Sequence, residues 1–222
     1  MLRPSLPSAA ALGLALAALA WAPPAAAGDD APASLPARTN FLTGFPARNA
    51  DGTINAVVEI PAGTDAKWEV APSGESLDWE IQDGVRRVVQ YLPYPANYGM
   101  VPRTLLPAAL GGDGDPLDVV LLGGSIERGS VVPARVIGVL RLRDDGERDD
   151  KILATPLQGP FADIADLADL RARRPGVDAI LETWFTHYKG PGRIEAQGFS
   201  ERSEALRVVG EAARAFEERP RP

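Results

Sequence analysis

Helical periodicity comes late in this chain, and that restricts the fold more than any other feature. Past an apolar N-terminal stretch, the residues up to 154 read as short apolar, β-branched runs closed by Gly and Pro. Residues 55–60 (NAVVEI) stop at Pro61. Residues 77–82 and 85–90 flank Asp83-Gly84, a dipeptide that favours a tight hairpin turn. Residues 117–122 read as a short buried strand ended by Gly123-Gly124. The longer run 131–142 is interrupted by Pro133 and Gly138, which predicts a bend or bulge. Residues 151–154 are expected to pair back with it across the acidic turn 144–150. Two helices follow. One covers 178–188, with Ile180, Leu181, Trp184 and Phe185 on one side. The other starts from Ser200 as N-cap and carries Leu206, Val209, Ala213 and Phe216 at helical spacing. Many short strands and then two helices predict an α+β fold, a small β-barrel core with helices packed outside.

The N-terminus reads differently. Arg3, the apolar stretch 9–21, Pro23-Pro24 and Ala25-Ala26-Ala27 make a secretory signal peptide over residues 1–27, cleaved after Ala27. The stretch is shorter than the roughly 20 apolar residues needed to span a bilayer. The mature protein is therefore expected to be periplasmic or secreted, with no membrane partner. Residues 28–36 read as a flexible lead-in, and 37–222 as one domain large enough for a real core. The chain has no Cys, so its stability must come from packing, assembly or metal and not from disulfides. Its formal net charge of -7 argues against nucleic acid as a partner. With His187 as its single His, it also lacks the side chains for a Cys/His zinc site, and no G-x-S-x-G surrounds a serine.

The chemistry lies in the carboxylates. Asp113-Gly114-Asp115-Pro116-Leu117-Asp118 places three Asp together, the last heading an apolar strand where a buried carboxylate needs a positive partner. Hard divalent cations take oxygen ligands of this kind. An EF-hand loop does not fit, because Leu117, Asp118 and Gly124 fall where an oxygen ligand, the turn Gly and the bidentate Glu belong. A second cluster, Asp144, Asp145, Glu147, Asp149 and Asp150, precedes Lys151, and Glu59 ends the NAVVEI run. All three groups lie at strand ends, where a small barrel can gather them at one mouth. Carboxylates converging without metal would repel one another. The set suggests a multi-metal site for phosphoryl chemistry. Lys67, Arg86-Arg87, Lys151, Tyr94, Tyr98 and the His187-Tyr188-Lys189 run supply candidate phosphate donors.

Taken in order, these segments resemble the soluble family I inorganic pyrophosphatases. The Asp113 to Val119 string looks like that family's signature. It is joined by Glu59-Ile60-Pro61, Lys67-Trp68-Glu69, Tyr94-Pro95-Ala96-Asn97-Tyr98-Gly99, Gly138-Val139-Leu140 with the 144–151 segment, and His187-Tyr188-Lys189. The resemblance implies an OB-type five-stranded β-barrel core with flanking helices, mainly two C-terminal, and an active site at the barrel mouth. It implies hydrolysis of inorganic pyrophosphate to two orthophosphates by metal-activated water. The cofactor would be Mg²⁺, several ions per site, with Mn²⁺ or Zn²⁺ as substitutes. The chain would be a homo-oligomer, hexamer or dimer. By position, Glu59, Asp113, Asp118, Asp144 and Asp149 would be metal ligands and Asp115 the general base. Lys67, Arg86, Tyr98, Lys151, Tyr188 and Lys189 would hold the phosphates, with Tyr94 in support. Lys67, Arg86 and Tyr98 would also serve catalysis, and a one-residue slip would put Arg87 in place of Arg86. The segment 100–112 is longer and richer in Gly and Pro than in that family, and the stretch after Lys189 is shorter. Two other readings remain open: a phosphohydrolase for short polyphosphates or nucleotides, and a binding module for phosphate or divalent cations that has lost turnover.

Overall fold

In the computed structural model, which describes residues 32–219, strands dominate as far as residue 156. They are β1 (Ser34–Pro36), β2 (Ile54–Ile60), β3 (Trp68–Val70), β4 (Ser76–Trp79), β5 (Ile81–Gln82) and β6 (Val85–Arg86). Then come β7 (Asn97–Met100), β8 (Asp118–Leu121), β9 (Val131–Asp144), β10 (Glu147–Arg148) and β11 (Lys151–Pro156). The C-terminal part holds α1 (Leu167–Arg173), α2 (Val177–His187), β12 (Ile194–Glu201) and α3 (Arg202–Glu218). The expected signal peptide lies outside the described residues.

Strand β9 is the spine of a mixed, seven-stranded sheet ordered β10-β9-β11-β8-β7-β2, with β12 also on β9. β2 pairs back with β9, so the path β9-β11-β8-β7-β2 returns to its start. The β8–β11 pair is parallel and its neighbours are antiparallel. Where β11 meets β9, Leu153 faces Gly138 and Ala154 faces Val136, leaving Ile137 as an extra residue. That is the irregularity expected beside Gly138, and the local bend lets one long strand serve several partners.

Side-chain alternation splits the apolar residues between two packed faces. Val119, Leu121, Ile152 and Ala154 join Ala205, Val208, Val209 and Ala212 of α3. Val120, Leu122 and Leu153 join Leu167 and Leu170 of α1 and Leu181, Trp184 and Phe185 of α2. A third cluster, with Phe41, Val57, Trp68, Leu77 and Met100, ties the small β1-β4-β3 sheet to the large one. Each fully buried Leu or Ile in such a core contributes roughly 1.5–3 kcal/mol.

Several expectations need correction. Ser34–Pro36, expected in the flexible lead-in, pairs with β4 as an added edge strand. The segment read as strand 77–82 is split between β4 and β5, and only the short β5–β6 hairpin crosses Asp83-Gly84. Ser200 caps no helix. Gly198, at φ 83°, sits in a register shift that carries β12 on to Glu201, and α3 starts after it. Ile180 is 58% exposed, so the buried side of α2 is Leu181, Trp184 and Phe185. α1 went unpredicted because its apolar contribution is only Leu167 and Leu170. Its start is fixed by Asp166, whose side chain accepts from the Asp169 N–H.

Candidate active site

Strand ends on one side of the sheet surround a polar cavity of about 270 Å³. β2 and β7 set the first carboxylate. Val58 pairs with Gly99 and Ile60 with Tyr98, so Glu59 is the extra residue of a β-bulge and its side chain is re-aimed into the cavity. The bulge needs glycine opposite it, because a Cβ on Gly99 would stand 1.8 Å from the Val57 carbonyl oxygen. Glu59 is buried and accepts the Val70 N–H at 2.8 Å. Burial pushes its carboxyl up to about 8, against the opposing charge of Lys67.

Parallel pairing places the next group. Lys151 opens β11 directly beside Asp118 at the head of β8. Lys151 is only 3% exposed, and its ammonium donates to Asp118 and to Asp149, the latter at 2.5 Å. Burial works against this ammonium, but the two carboxylates outweigh it and hold it above its ordinary value. Burial likewise raises the Asp149 carboxyl, with Lys151 opposing. Lys189, just past α2, binds Asp144 at the end of β9. Lys67 pairs with Glu69 at 2.7 Å and lies 5.3 Å from the centre of the Tyr98 ring. Burial lifts both the Tyr98 and Tyr188 phenols, so each keeps its proton as a donor.

Asp113 and Asp115 occupy the turn before β8. The Asp113 carboxylate accepts the Asp115 N–H at 2.9 Å, an Asx turn that orients the loop. Asp115 is exposed at the rim, yet partial desolvation of its carboxyl, together with the charges of Asp113, Glu69 and Asp118, raises its affinity for a proton. A raised carboxylate facing a polar cavity suits a general base.

Among the described residues, no group of three His, Cys, Asp or Glu side chains stands ready to hold a metal ion. Asp118, Asp149 and Asp144 are drawn onto Lys151 and Lys189 instead. The donor chemistry still fits a hard cation, because Asp144 Oδ1 is buried with no hydrogen-bond partner, an acceptor that an ion would satisfy.

Comparison with known proteins decides the family. The family model described as inorganic pyrophosphatase matches residues 56–217. The chain belongs to the inorganic pyrophosphatase family. The inorganic pyrophosphatase of Xanthomonas axonopodis pv. citri is 33% identical over 175 residues, 76% of this chain and 92% of that one. The soluble inorganic pyrophosphatase 1, chloroplastic, of Chlamydomonas reinhardtii is 37% identical over 167 residues, 70% of this chain but 59% of its own length. The type I inorganic pyrophosphatase from Toxoplasma gondii superposes with a TM-score of 0.76 at 29% identity, covering 81% of this chain and 88% of that one. Membership in this family carries hydrolysis of inorganic pyrophosphate as the reaction of this chain.

The cavity brings together nearly all of the residues picked from the pyrophosphatase motifs. Glu59, Lys67, Tyr98, Asp113, Asp115, Asp118, Asp144, Asp149, Lys151, Tyr188 and Lys189 all line it. Tyr94 stands behind, 5.3 Å from Tyr98 and 4.4 Å from Trp184 between ring centres. Arg86 does not line the cavity, and Arg87 does. The β5–β6 hairpin turns on Asp83 and Gly84, both at positive φ (53° and 79°), as its turn type requires. Successive side chains then alternate. Arg86 lies over the Trp79 ring at 4.9 Å, and Arg87 reaches the site while bonding Glu80 at 2.8 Å. Motif reading also passed over Arg148, Met100 and Leu106, which line the cavity too. The signal for Arg148 was a lone base inside the acidic run 144–150. Met100 and Leu106 come from the long segment 100–112, whose length alone does not say where it folds.

Proposed function

We propose that the cavity hydrolyses inorganic pyrophosphate with Mg²⁺ held by Glu59, Asp113, Asp118, Asp144 and Asp149, and with Asp115 as general base. The observation that carries this reading is the meeting of Asp115, six further carboxylates and several Lys, Arg and Tyr donors in one small cavity. Members of the family depend on metal ions, and oxygen-only ligands suit Mg²⁺. Mg²⁺ bound there supplies positive charge to the phosphate oxygens and acidifies the attacking water. The protein's own groups do the rest. Asp115 accepts the proton as the water oxygen bonds to one phosphorus and the bridging P–O bond breaks. Lys67, Arg87, Lys151 and Lys189, with the phenols of Tyr98 and Tyr188, orient the two phosphates and offset charge on the one that leaves. Lys151 and Lys189 rest on carboxylates that metal would claim, so ion binding would free them for phosphate.

Asp115→Asn tests the assignment of the base. Removing a general base lowers kcat by roughly 10²–10⁴-fold, while binding of a non-hydrolysable diphosphonate stays intact. Unchanged turnover would overturn the role given to Asp115. Trials of triphosphate and nucleotides beside pyrophosphate distinguish the narrow specificity proposed here from a broader phosphohydrolase.

The ring of pairings β9-β11-β8-β7-β2 supports an OB-type five-stranded barrel. Arg3, the apolar stretch and the Ala25-Ala26-Ala27 end support export to the periplasm or beyond, which N-terminal sequencing of the fractionated protein would test. The family resemblance supports a homo-oligomer, hexamer or dimer, and exposed Leu92 and Ile180 are apolar side chains that assembly would cover. Sedimentation would measure the state.

A further inference from the structure

Two residues of the cavity each leave one buried atom without a partner, and the two atoms are of opposite kind. Among the described residues, the buried side-chain atoms lacking a hydrogen bond are Trp68 Nε1, Asp144 Oδ1, Arg148 Nη2 and Thr155 Oγ1. Asp144 and Arg148 both line the active-site cavity. They share one hairpin, in which Asp144 pairs with Glu147 and Arg143 with Arg148. A buried unpaired acceptor wants a cation, and a buried unpaired guanidinium nitrogen wants an anion. A metal–phosphate substrate supplies both.

The other cations of the cavity are engaged by carboxylates. Lys67 is on Glu69, Lys151 on Asp118 and Asp149, Lys189 on Asp144, and Arg87 on Glu80. Arg148 also meets a carboxylate, but a buried nitrogen of its guanidinium, Nη2, stays without a partner. Its Nε donates to the buried Asp150 at 2.6 Å, and Asp150 also accepts from Arg141 at 2.5 Å. Its backbone N–H donates to the Gly111 carbonyl at 2.7 Å, which ties it to the long 100–112 segment. One edge of the guanidinium is fixed, and a nitrogen is left over.

We propose that Arg148 binds a phosphoryl oxygen of the substrate directly, a donor that the pyrophosphatase motifs do not include. This rests on the reading of the cavity as the pyrophosphate site. The planar guanidinium, anchored through Nε, presents its remaining N–H groups in a fixed direction, which suits phosphate better than a mobile ammonium.

The test uses the full chain with Mg²⁺ and compares Arg148→Gln and Arg148→Lys with wild type. Three quantities are measured: kcat, KM for pyrophosphate, and the affinity for methylene diphosphonate by calorimetry. Losing a hydrogen bond to a charged group should raise KM and weaken diphosphonate binding by roughly 10- to 100-fold in Arg148→Gln. Arg148→Lys should recover only part of this, and added guanidinium ion should restore binding to Arg148→Gln. Arg143→Gln, on the same hairpin, should behave as wild type. KM and diphosphonate affinity unchanged in a folded Arg148→Gln would reduce Arg148 to a structural partner of Asp150 and overturn the proposal. If Arg148→Gln does not fold, an Arg148→Lys chain with wild-type KM does the same. A wild-type chain that neither turns over pyrophosphate nor binds the diphosphonate removes this proposal and the underlying reading together.

Discussion

Replacing Lys151 by Met separates the electrostatics of the site from its packing. The Lys151 side chain is 4% exposed, and its partners Asp118 and Asp149 are 25% and 19% exposed. Methionine fills nearly the same space without the charge, so two carboxylates are left facing each other with no cation. Removing one partner of a buried pair costs roughly 3–5 kcal/mol, and residual solvent at both Asp places this case near 3. For a domain of this size that lowers the Tm of the metal-free protein by about 6–12 °C. If the freed carboxylates are metal ligands, Mg²⁺ replaces the lost ammonium between them. The variant should then gain more Tm from Mg²⁺ than wild type does, while its pyrophosphatase turnover falls for want of a phosphate donor. Scanning calorimetry in chelator and across an Mg²⁺ series reads both effects. A metal-free Tm equal to that of wild type, or an equal response to Mg²⁺, would refute the reasoning.

Three further outcomes follow from the same geometry. The Glu59 carboxyl, pushed up to about 8 by burial, favours its neutral form in the fold. In chelator, the stability this contributes is full below its ordinary value of 4.5 and is lost as pH rises through about 8, so Glu59→Gln should gain on wild type over that window. Denaturant unfolding at several pH values checks it, and a constant difference would contradict it. Gly99→Ala drives a Cβ against the Val57 carbonyl oxygen at 1.8 Å, so it should cost about 1–3 kcal/mol and displace Glu59, read as lower Tm and weaker Mg²⁺ binding. Arg87→Gln should weaken pyrophosphate binding by roughly tenfold, more than Arg86→Gln does, and the reverse order in KM would return the phosphate role to Arg86.

Much of the site was legible because strand ends announce themselves. Asp118 before Val119-Val120, Glu59 before Pro61 and Lys151 after the acidic turn are charges abutting apolar runs, and each lies where its strand opens on the cavity. The β9 irregularity was visible in Gly138, and the hairpin turn in Asp83-Gly84. What escaped depends on partners that only the fold assigns. The choice between Arg86 and Arg87 is set as the chain leaves β6, with Arg86 laid over Trp79 and Arg87 held on Glu80. β12 carries no strong alternation and forms because β9 offers it a long free edge. Arg148 looked like one base diluted in acid, and only the fold shows that Asp150 and Gly111 fix it at the cavity wall.

Orthophosphate release from pyrophosphate by the purified chain, with Mg²⁺ and again with excess chelator, tests the central claim most directly. The account predicts rapid release that stops when the metal is withdrawn and returns when it is restored. Folded protein that releases no phosphate with Mg²⁺, Mn²⁺ or Zn²⁺, or that releases it equally well in chelator, would contradict it.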